Sequence, residues 1–473
     1  MELKKINDFT WEIPRQGDMK VSTIIYSSPR LMEGVRRDKT LQQAGNVACL
    51  PGIQRAAYAM PDAHQGYGFP IGGVAAFDMD EGVISPGGVG YDINCGVRLL
   101  KTEYREEDIS PFRKELLDAI SEEVPAGVGK SGGTRLSARA LKEVCERGAE
   151  WAVGQGFGCR EDLEYTEEYG CLSGADPSYL SSRAIERGIP QLGTLGSGNH
   201  FLEIQKVDEI YDREVSESFG IHSQGQILVM IHCGSRGLGH QVASDYIRAM
   251  ENHFGFKDLP DRQLINAPIR SRLGEQYYKC MSSAVNFAFA NRQMIAHWVR
   301  QVFQRVLGSA QGMDQVYDVC HNVAKFERHK IQGRLKEVCI HRKGATRSFG
   351  PGREEIPEAY RSVGQPVFIP GSMGTASYIL VGTAEAEDLS FSSTAHGAGR
   401  VMSRHEARKR FRGEQIKRDL EGKGIVLKSA SWKGVAEEAS EVYKSVDEVV
   451  RVSHETGIGR RVARAVPLGV MKG

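Results

Sequence analysis

The chain has 473 residues, 40% hydrophobic and 26% charged, with a formal net charge of +1. That balance is typical of a soluble globular protein, and it excludes attraction to nucleic acid by global charge, so any basic surface must be local. No apolar run approaches the roughly 18 residues of a membrane span, the opening Met1-Glu2-Leu3-Lys4-Lys5 leads into no signal-peptide core, and nine scattered cysteines without a C-x-x-C pair point away from disulfides or a zinc ribbon and towards a reducing cytoplasm.

In chain order, a helix is expected near 37–45. Short strands between glycine turns follow, Gly73-Val74-Ala75-Ala76-Phe77 and Val97-Arg98-Leu99-Leu100, with Cys95 just before the second. Segments 111–124, 135–153 and 178–187 read as helices, and the Gly- and acid-rich 154–177 as a surface loop. Phe201 to Gln205 alternates like a strand directly after His200. Gln226-Ile227-Leu228-Val229-Met230-Ile231 is a continuous apolar run, expected as a buried strand with His232 at its end. The region 276–307 is the strongest helix. Val338 to His341, Val367 to Ile369 and Tyr378 to Val381 read as strands, 403–420 and 434–450 as helices, and 457–473 as a basic, Gly-punctuated tail. No internal repeat and no linker divides the chain.

The 54 glycines exceed the average of about 7%. They cluster at 66–73, 82–96, 193–198, 234–239 and 371–382, beside the Asp, Cys and His positions, as turns converging on a ligand would. Asp92 and Cys95 share a D-x-x-C turn. His200, His232, His321 and His396 each stand at a strand end in a polar, glycine-flanked setting. A lone cysteine or histidine is usually structural, but four histidines in one context are harder to dismiss. A thiolate can bridge two ions, so Asp92, Cys95 and three imidazoles could serve two metals. Ligand softness points to zinc. His396-Gly397-Ala398-Gly399-Arg400 precedes a basic stretch carrying Arg404, Arg408, Lys409, Arg410 and Arg412. A glycine turn there suits an anion, and a histidine in it could take a phosphoryl group. Pro370-Gly371-Ser372-Met373 with Ser377 forms a second Gly/Ser turn. Arg236, Arg400, Arg404, Arg408 and Arg412 are candidate RNA contacts, supported by Arg460, Arg461, Arg464 and Lys472 in the tail.

Taken together these motifs closely resemble the RtcB family of RNA-splicing ligases. The resemblance runs from Met60-Pro61-Asp62-Ala63-His64-Gln65-Gly66 through Asp92-Ile93-Asn94-Cys95-Gly96, Gly198-Asn199-His200-Phe201-Leu202-Glu203, Gly234-Ser235-Arg236-Gly237, His321-Asn322, Pro370-Gly371-Ser372-Met373-Gly374 and His396-Gly397-Ala398-Gly399-Arg400 to Lys472. It implies one large α+β domain over residues 1–473, with mixed and antiparallel sheets around a central metal–nucleotide cleft and helices at its flanks. It implies an enzyme that joins an RNA 2′,3′-cyclic phosphate or 3′-phosphate end to a 5′-hydroxyl end, with GTP and Mn²⁺, in tRNA exon ligation and RNA repair. Manganese then replaces the softness-based zinc, which remains a competitor.

By the same resemblance Cys95 bridges two Mn²⁺ ions, with Asp92 and His200 completing one site and His232 and His321 the other. His396 takes GMP from GTP, and Asp62 acts in later steps. Asn199, Phe201, Leu202, Glu203, Asn322, Pro370, Gly371, Ser372, Met373, Ser377, Gly397, Ala398, Gly399 and Lys472 form the guanylate pocket with the site histidines. Tyr443 stacks on guanine and Lys472 reads its edge. Cys233 stands where Ser or Thr is expected, placing a second thiol beside the metals. The implied partners are RNA ends, GTP and an archease-type activator, and the expected state is a monomer in the cytoplasm. Two rivals are weighed: a two-metal phosphohydrolase or nuclease, which needs no GTP, and a non-catalytic RNA-binding module of ligase ancestry.

Overall fold

The structure, a computed structural model, describes residues 2–134, 136–310 and 312–473. Among these it has the α+β character expected. One seven-stranded sheet runs Lys4–Lys5, Thr10–Ile13, Ser22–Tyr26, Ile53–His64, Ile71–Asp78, Arg334–Lys343, Asn322–Ile331, antiparallel except where Ser22–Tyr26 meets Ile53–His64. A second sheet runs Gln315–Cys320, Gly96–Arg105, Gln226–Cys233, Phe201–Ile210, Arg460–Lys472, Ser377–Val381, Pro366–Ile369, with Val426–Ser429 added in parallel to Arg460–Lys472.

Gln226–Cys233 lies in the middle of the second sheet and is buried along its whole length. Its alternate residues enter two cores: Ile227, Val229 and Ile231 in one, Leu228 and Met230 in the other. A strand covered on both faces has no solvent side, which is why its sequence reads as an unbroken apolar run.

The helix Arg272–Leu307 is the organising rod, about 54 Å long at 1.5 Å per residue. Ser271 caps its start by accepting the amide of Gly274, and Gly308, at φ 79°, ends it in the left-handed region. Ile295, Ala296, Val299, Val302 and Phe303 pack under the second sheet. Tyr277, Met281, Ala284 and Val285 join the other large core. No helix among the described residues is long and apolar enough to cross a membrane.

Several expectations shift. The helix expected at 37–45 is Thr40–Val47, begun where Asp38 accepts the amide of Thr40. The helix expected at 135–153 is Ala138–Arg147 and Ala149–Gly154, divided at Gly148; Arg135 lies outside the described residues. Segment 178–187 narrows to Ser182–Gly188. Region 403–420 breaks into Arg404–Arg410 and Gly413–Gly422, because Phe411 and Arg412 are extended and Gly413 lies against the Trp432 carbonyl. Region 434–450 breaks into Trp432–Glu437, a 3-10 turn and Val446–Glu455.

Segment 154–177 is more than a surface loop. Asp162 is buried on Arg300, and Glu167 is buried on Lys325. The basic tail is the 13-residue strand Arg460–Lys472, and the helix Arg236–Phe254 went unread.

Candidate active site

The strand ends bring the singled-out residues together. In the second sheet Gly96 pairs with Cys233, Val97 and Phe201 with His232, Lys472 with Phe201, and Cys320 with Gly96. Cys95, His200, His232, His321 and Lys472 therefore gather at one end of that sheet. Asn322 begins a strand of the other sheet, so His321 stands where the chain crosses between them. Asp62 and His64 come from the end of Ile53–His64, and His396 follows the short strand Ser393–Ala395.

Asp92, Cys95 and His200 offer three ligand atoms within 4.8 Å of one another. The D-x-x-C turn is closed by the Cys95 amide on the Asp92 carbonyl, 3.0 Å. His200 Nε2 lies 2.7 Å from Asp92 Oδ2 and 3.6 Å from Cys95 Sγ, and His232 Nε2 lies 3.1 Å from the same sulfur. The His321 ring is 5.5 Å from that of His232 and 5.3 Å from that of His396. Thr346 Oγ1 holds His321 Nδ1 at 2.8 Å, leaving Nε2 buried without a partner.

Burial, reinforced by Asp92, pushes the Cys95 thiol well above its ordinary value, so a thiolate there needs a cation. Burial raises Asp92, but His200 and Arg236 outweigh it and hold the carboxyl at about 2. Burial keeps His232 and His321 neutral, the form that ligates. One carboxylate, one sulfur and three imidazoles, two of them with a buried ring nitrogen that has no partner among the described residues (His232 Nδ1 and His321 Nε2), fit a transition-metal centre.

Arg292, fully buried on the long helix, underlies this cluster. Its Nη1 donates to the carbonyls of Asn94 (3.0 Å) and Cys233 (2.8 Å), the neighbours of Cys95 and His232; Nη2 reaches Asn94 Oδ1 at 3.0 Å, and Asp318 balances the charge. A Cβ on Gly96 would meet Arg292 Nη1 at 3.1 Å and the Val319 carbonyl at 2.2 Å, so the residue after Cys95 is glycine for want of space. Cys233 itself turns away from the candidate metal ligands, as the residue after His232 on a strand must. Its sulfur faces the Thr194 and Leu195 carbonyls and the Asn291 amide, and burial lifts its thiol to about 11. The second thiol is thus part of the core, not of the metal cluster.

His396 Nδ1 is 2.6 Å from Asp62 Oδ2, which also accepts the amides of His396 (3.0 Å) and Gly397 (3.3 Å). Asp62 is fully buried. Burial raises its carboxyl, but the charge and hydrogen bonds of His396 outweigh this and hold it below the usual range. Gly399, at φ 74°, allows the turn to close on Asp62: a Cβ there would lie 2.2 Å from the Asp62 carbonyl oxygen.

A cleft of about 800 Å³ opens over His396, walled by Asn199, Phe201, His232, Pro370 to Met373, Gly397 to Arg400, Arg404, Tyr443 and Lys472. Six expected pocket residues do not line it; two of them, His200 and His321, stay with the Cys95 cluster. Leu202 points to the opposite face, into the apolar core, because it alternates with Phe201. Glu203 is buried with Gln205 on its Oε2 at 2.7 Å, and burial lifts its carboxyl to about 7. Ser377 accepts the Gly371 amide and so supports the turn. Asn322 spends its side chain on the Asp92 carbonyl and the Gly344 amide.

Of the arginines, Arg400 and Arg404 belong to the cleft and Arg236 donates to His200 Nδ1 at 2.8 Å. Arg408 pairs with Glu437, and Arg412 stands exposed at the start of Gly413–Gly422. Sequence reasoning missed Arg292, Thr346, Lys444 and Glu438. Glu438, buried, accepts from Tyr443 and pairs with Arg400 at 3.1 Å.

Residues 43–473 match the family model described as tRNA-splicing ligase RtcB. The chain is 54% identical over 479 residues to the tRNA-splicing ligase RtcB of Archaeoglobus fulgidus, covering 100% of this chain and 99% of that protein. It is 52% identical over 477 residues to that of Thermococcus kodakarensis, with the same coverage. The RNA-splicing ligase RtcB of Mycobacterium tuberculosis is 51% identical over 436 residues, 91% of this chain and 100% of that protein. With its family motifs folded into one cleft, the chain belongs to the RtcB family of tRNA-splicing ligases.

Proposed function

We propose that this RNA ligase joins RNA 2′,3′-cyclic phosphate or 3′-phosphate ends to 5′-hydroxyl ends with GTP, through GMP carried on His396. The observation that carries the reading is the Asp62–His396 contact at the floor of the cleft. A carboxylate on Nδ1 keeps the proton there and leaves Nε2 as the free nucleophile.

Nε2 attacks the α-phosphorus of GTP, the bond to the pyrophosphate oxygen breaks, and Asp62 stabilises the positive charge that develops on the ring. A cyclic end is first hydrolysed to a 3′-phosphate. An oxygen of that phosphate attacks the phosphorus on His396, the P–N bond breaks, and the RNA end carries a diphosphate to guanosine. The 5′-hydroxyl of the second strand then attacks the RNA 3′-phosphorus, gives up its proton and displaces GMP. Tyr443 and Lys472 hold the guanine end of the cleft, and the Pro370-Gly371-Ser372-Met373 turn lines the nucleotide.

Asp92, Cys95, His200, His232 and His321 would hold two Mn²⁺ ions, with zinc as a competitor; bound there, the metals would neutralise phosphate charge. The same reading has the chain act as a single catalytic domain, as a monomer, in the cytoplasm on tRNA exon ends and other broken RNA.

The test is labelling with α-³²P GTP and Mn²⁺, with and without an archease, in the unsubstituted protein and in His396→Ala. An acid-labile, alkali-stable label that vanishes in the variant is expected. No label in the freshly metal-loaded protein would remove the mechanism and favour a two-metal hydrolase.

A further inference from the structure

A second and larger cleft adjoins the nucleotide cleft. It spans about 1370 Å³, and the two share a wall of His64, Ile71 and Arg400. The far side is formed by Arg37 and Asp38, in the turn between the helices Pro29–Val35 and Thr40–Val47. Lys444 and Ser403 complete it; Ser403 caps the helix Arg404–Arg410.

Charges of both signs line this cleft, with cations in slight excess: Arg37, Arg400 and Lys444 against Asp38 and Glu406. Asp38 accepts the amides of Thr40 (2.8 Å) and Gln65 (3.0 Å), and Glu406 pairs with Arg410 at 2.5 Å. The cations are less well matched. Among the described residues Arg37 pairs only with Glu33, at 3.9 Å, with both side chains largely exposed. The Lys444 amine donates to the carbonyls of Pro61 and Ala63; burial lowers it to about 8 against the pull of the Asp62 and Asp38 charges, with no direct ion pair among the described residues. Arg37 and Lys444 thus place two cations on the wall of a cavity that meets the nucleotide cleft at His64, Ile71 and Arg400.

Position adds to charge. The wall residue His64 lies two residues from Asp62 on the same strand, so the second cleft opens beside the Asp62–His396 contact. In the sealing step the 5′-hydroxyl enters roughly in line with the departing GMP and opposite to it, on the side away from the guanosine. With a guanosine nucleotide filling the Tyr443–Lys472 side, a second substrate must approach from ground the nucleotide leaves free.

We propose that the second cleft takes the phosphodiester backbone of an RNA strand next to its reacting end, with Arg37 and Lys444 on its phosphates. The proposal rests on the ligase reading above and extends it to where RNA lies.

The test measures affinity by fluorescence anisotropy for two labelled RNA oligonucleotides, one ending in a 5′-hydroxyl and one in a 3′-phosphate, across a salt series. Arg37→Glu reverses the exposed charge. Ser403→Asp keeps a capping oxygen while putting a carboxylate in the cleft. Arg139→Glu, an equally exposed reversal on a remote helix, controls for overall charge. Both cleft variants should weaken one of the two strands about tenfold at low salt, and Arg37→Glu should flatten its salt slope by about one. The strand that weakens is the occupant. Unchanged affinity for both strands, or an equal loss in Arg139→Glu, overturns the proposal. Absence of the GTP label in the unsubstituted protein would instead sink the ligase reading, a result separate from these affinities.

Discussion

Asp62 gathers three hydrogen bonds from His396 and its successor onto one oxygen: the ring Nδ1 at 2.6 Å and the two amides at 3.0 and 3.3 Å. The same contact fixes both the turn and the tautomer of the ring. In Asp62→Asn the amide oxygen can still accept, but the charge that balances a positively charged imidazole is gone. Guanylylation of His396 is expected to slow roughly 10²- to 10⁴-fold, with GTP affinity little changed because Asp62 lies beneath the cleft. Single-turnover labelling beside GTP titration separates the two. Equal losses in rate and affinity would mean that Asp62 merely holds the turn.

Arg292 should govern the metal cluster without touching a ligand. Lysine in its place keeps the charge near Asp318 but cannot reach the Asn94 and Cys233 carbonyls and Asn94 Oδ1 together. Arg292→Lys is expected to lower metal affinity about 10- to 100-fold, the range for partners that orient ligands. The reading is the cobalt–thiolate charge-transfer band, titrated in protein whose folding is checked by circular dichroism. A folded variant with the unsubstituted titration curve would assign Arg292 to packing alone. Asn94→Ala, which removes only part of the link, should move the curve the same way by less.

The ligand positions were legible because a strand end leaves a local mark: a polar residue between an apolar run and a glycine. His232 carries that mark in full, Cys95 and His200 stand beside a strand with a glycine one or two residues away, and His321, between Cys320 and Asn322, has no glycine near it; the structure gathers all four. The supporting residues carry none. Arg292 sits in a helical stretch whose periodicity is unremarkable, and only the close approach of Gly96, distant in sequence, gives it a purpose. Leu202 and Glu203 show the opposite failure. A motif read as one string placed both in the pocket, whereas strand alternation sends Leu202 into the core beneath it. The final strand was hidden by its arginines, which lie on its partly exposed half, Arg460, Arg461 and Arg464, while its buried half is apolar up to Lys472.

Cys233 should be replaceable. Its sulfur faces two carbonyls, Thr194 and Leu195, and takes the Asn291 amide at 3.0 Å, all of which a hydroxyl can satisfy. Cys233→Ser is therefore expected to change unfolding free energy by less than about 1.5 kcal/mol and to leave the cobalt spectrum intact. With its thiol lifted to about 11 and buried, Cys233 should also resist thiol reagents in the folded protein. A spectrum altered by the substitution would put this sulfur among the metal ligands after all.

Glu203 supplies a pH dependence with a definite sign. Burial lifts its carboxyl to about 7, against the opposing pull of Gln205 and Lys472. In the unfolded chain a glutamate titrates near 4.3. Between those values the folded state holds a proton that the unfolded state has released. Its contribution to stability is therefore full below the unfolded value and is lost as pH climbs towards 7. A gap of between two and three pH units corresponds to about 3 kcal/mol. Glu203→Gln keeps the shape and does not titrate, so the variant should gain on the unsubstituted protein as pH rises from 4.5 to 7, with the difference level above that. Urea unfolding of both proteins at pH 5, 6, 7 and 8, in chelator so that the metal ligands are equally empty, measures the difference directly. Parallel stability profiles would mean that Glu203 is already ionised in the fold, held so by Lys472.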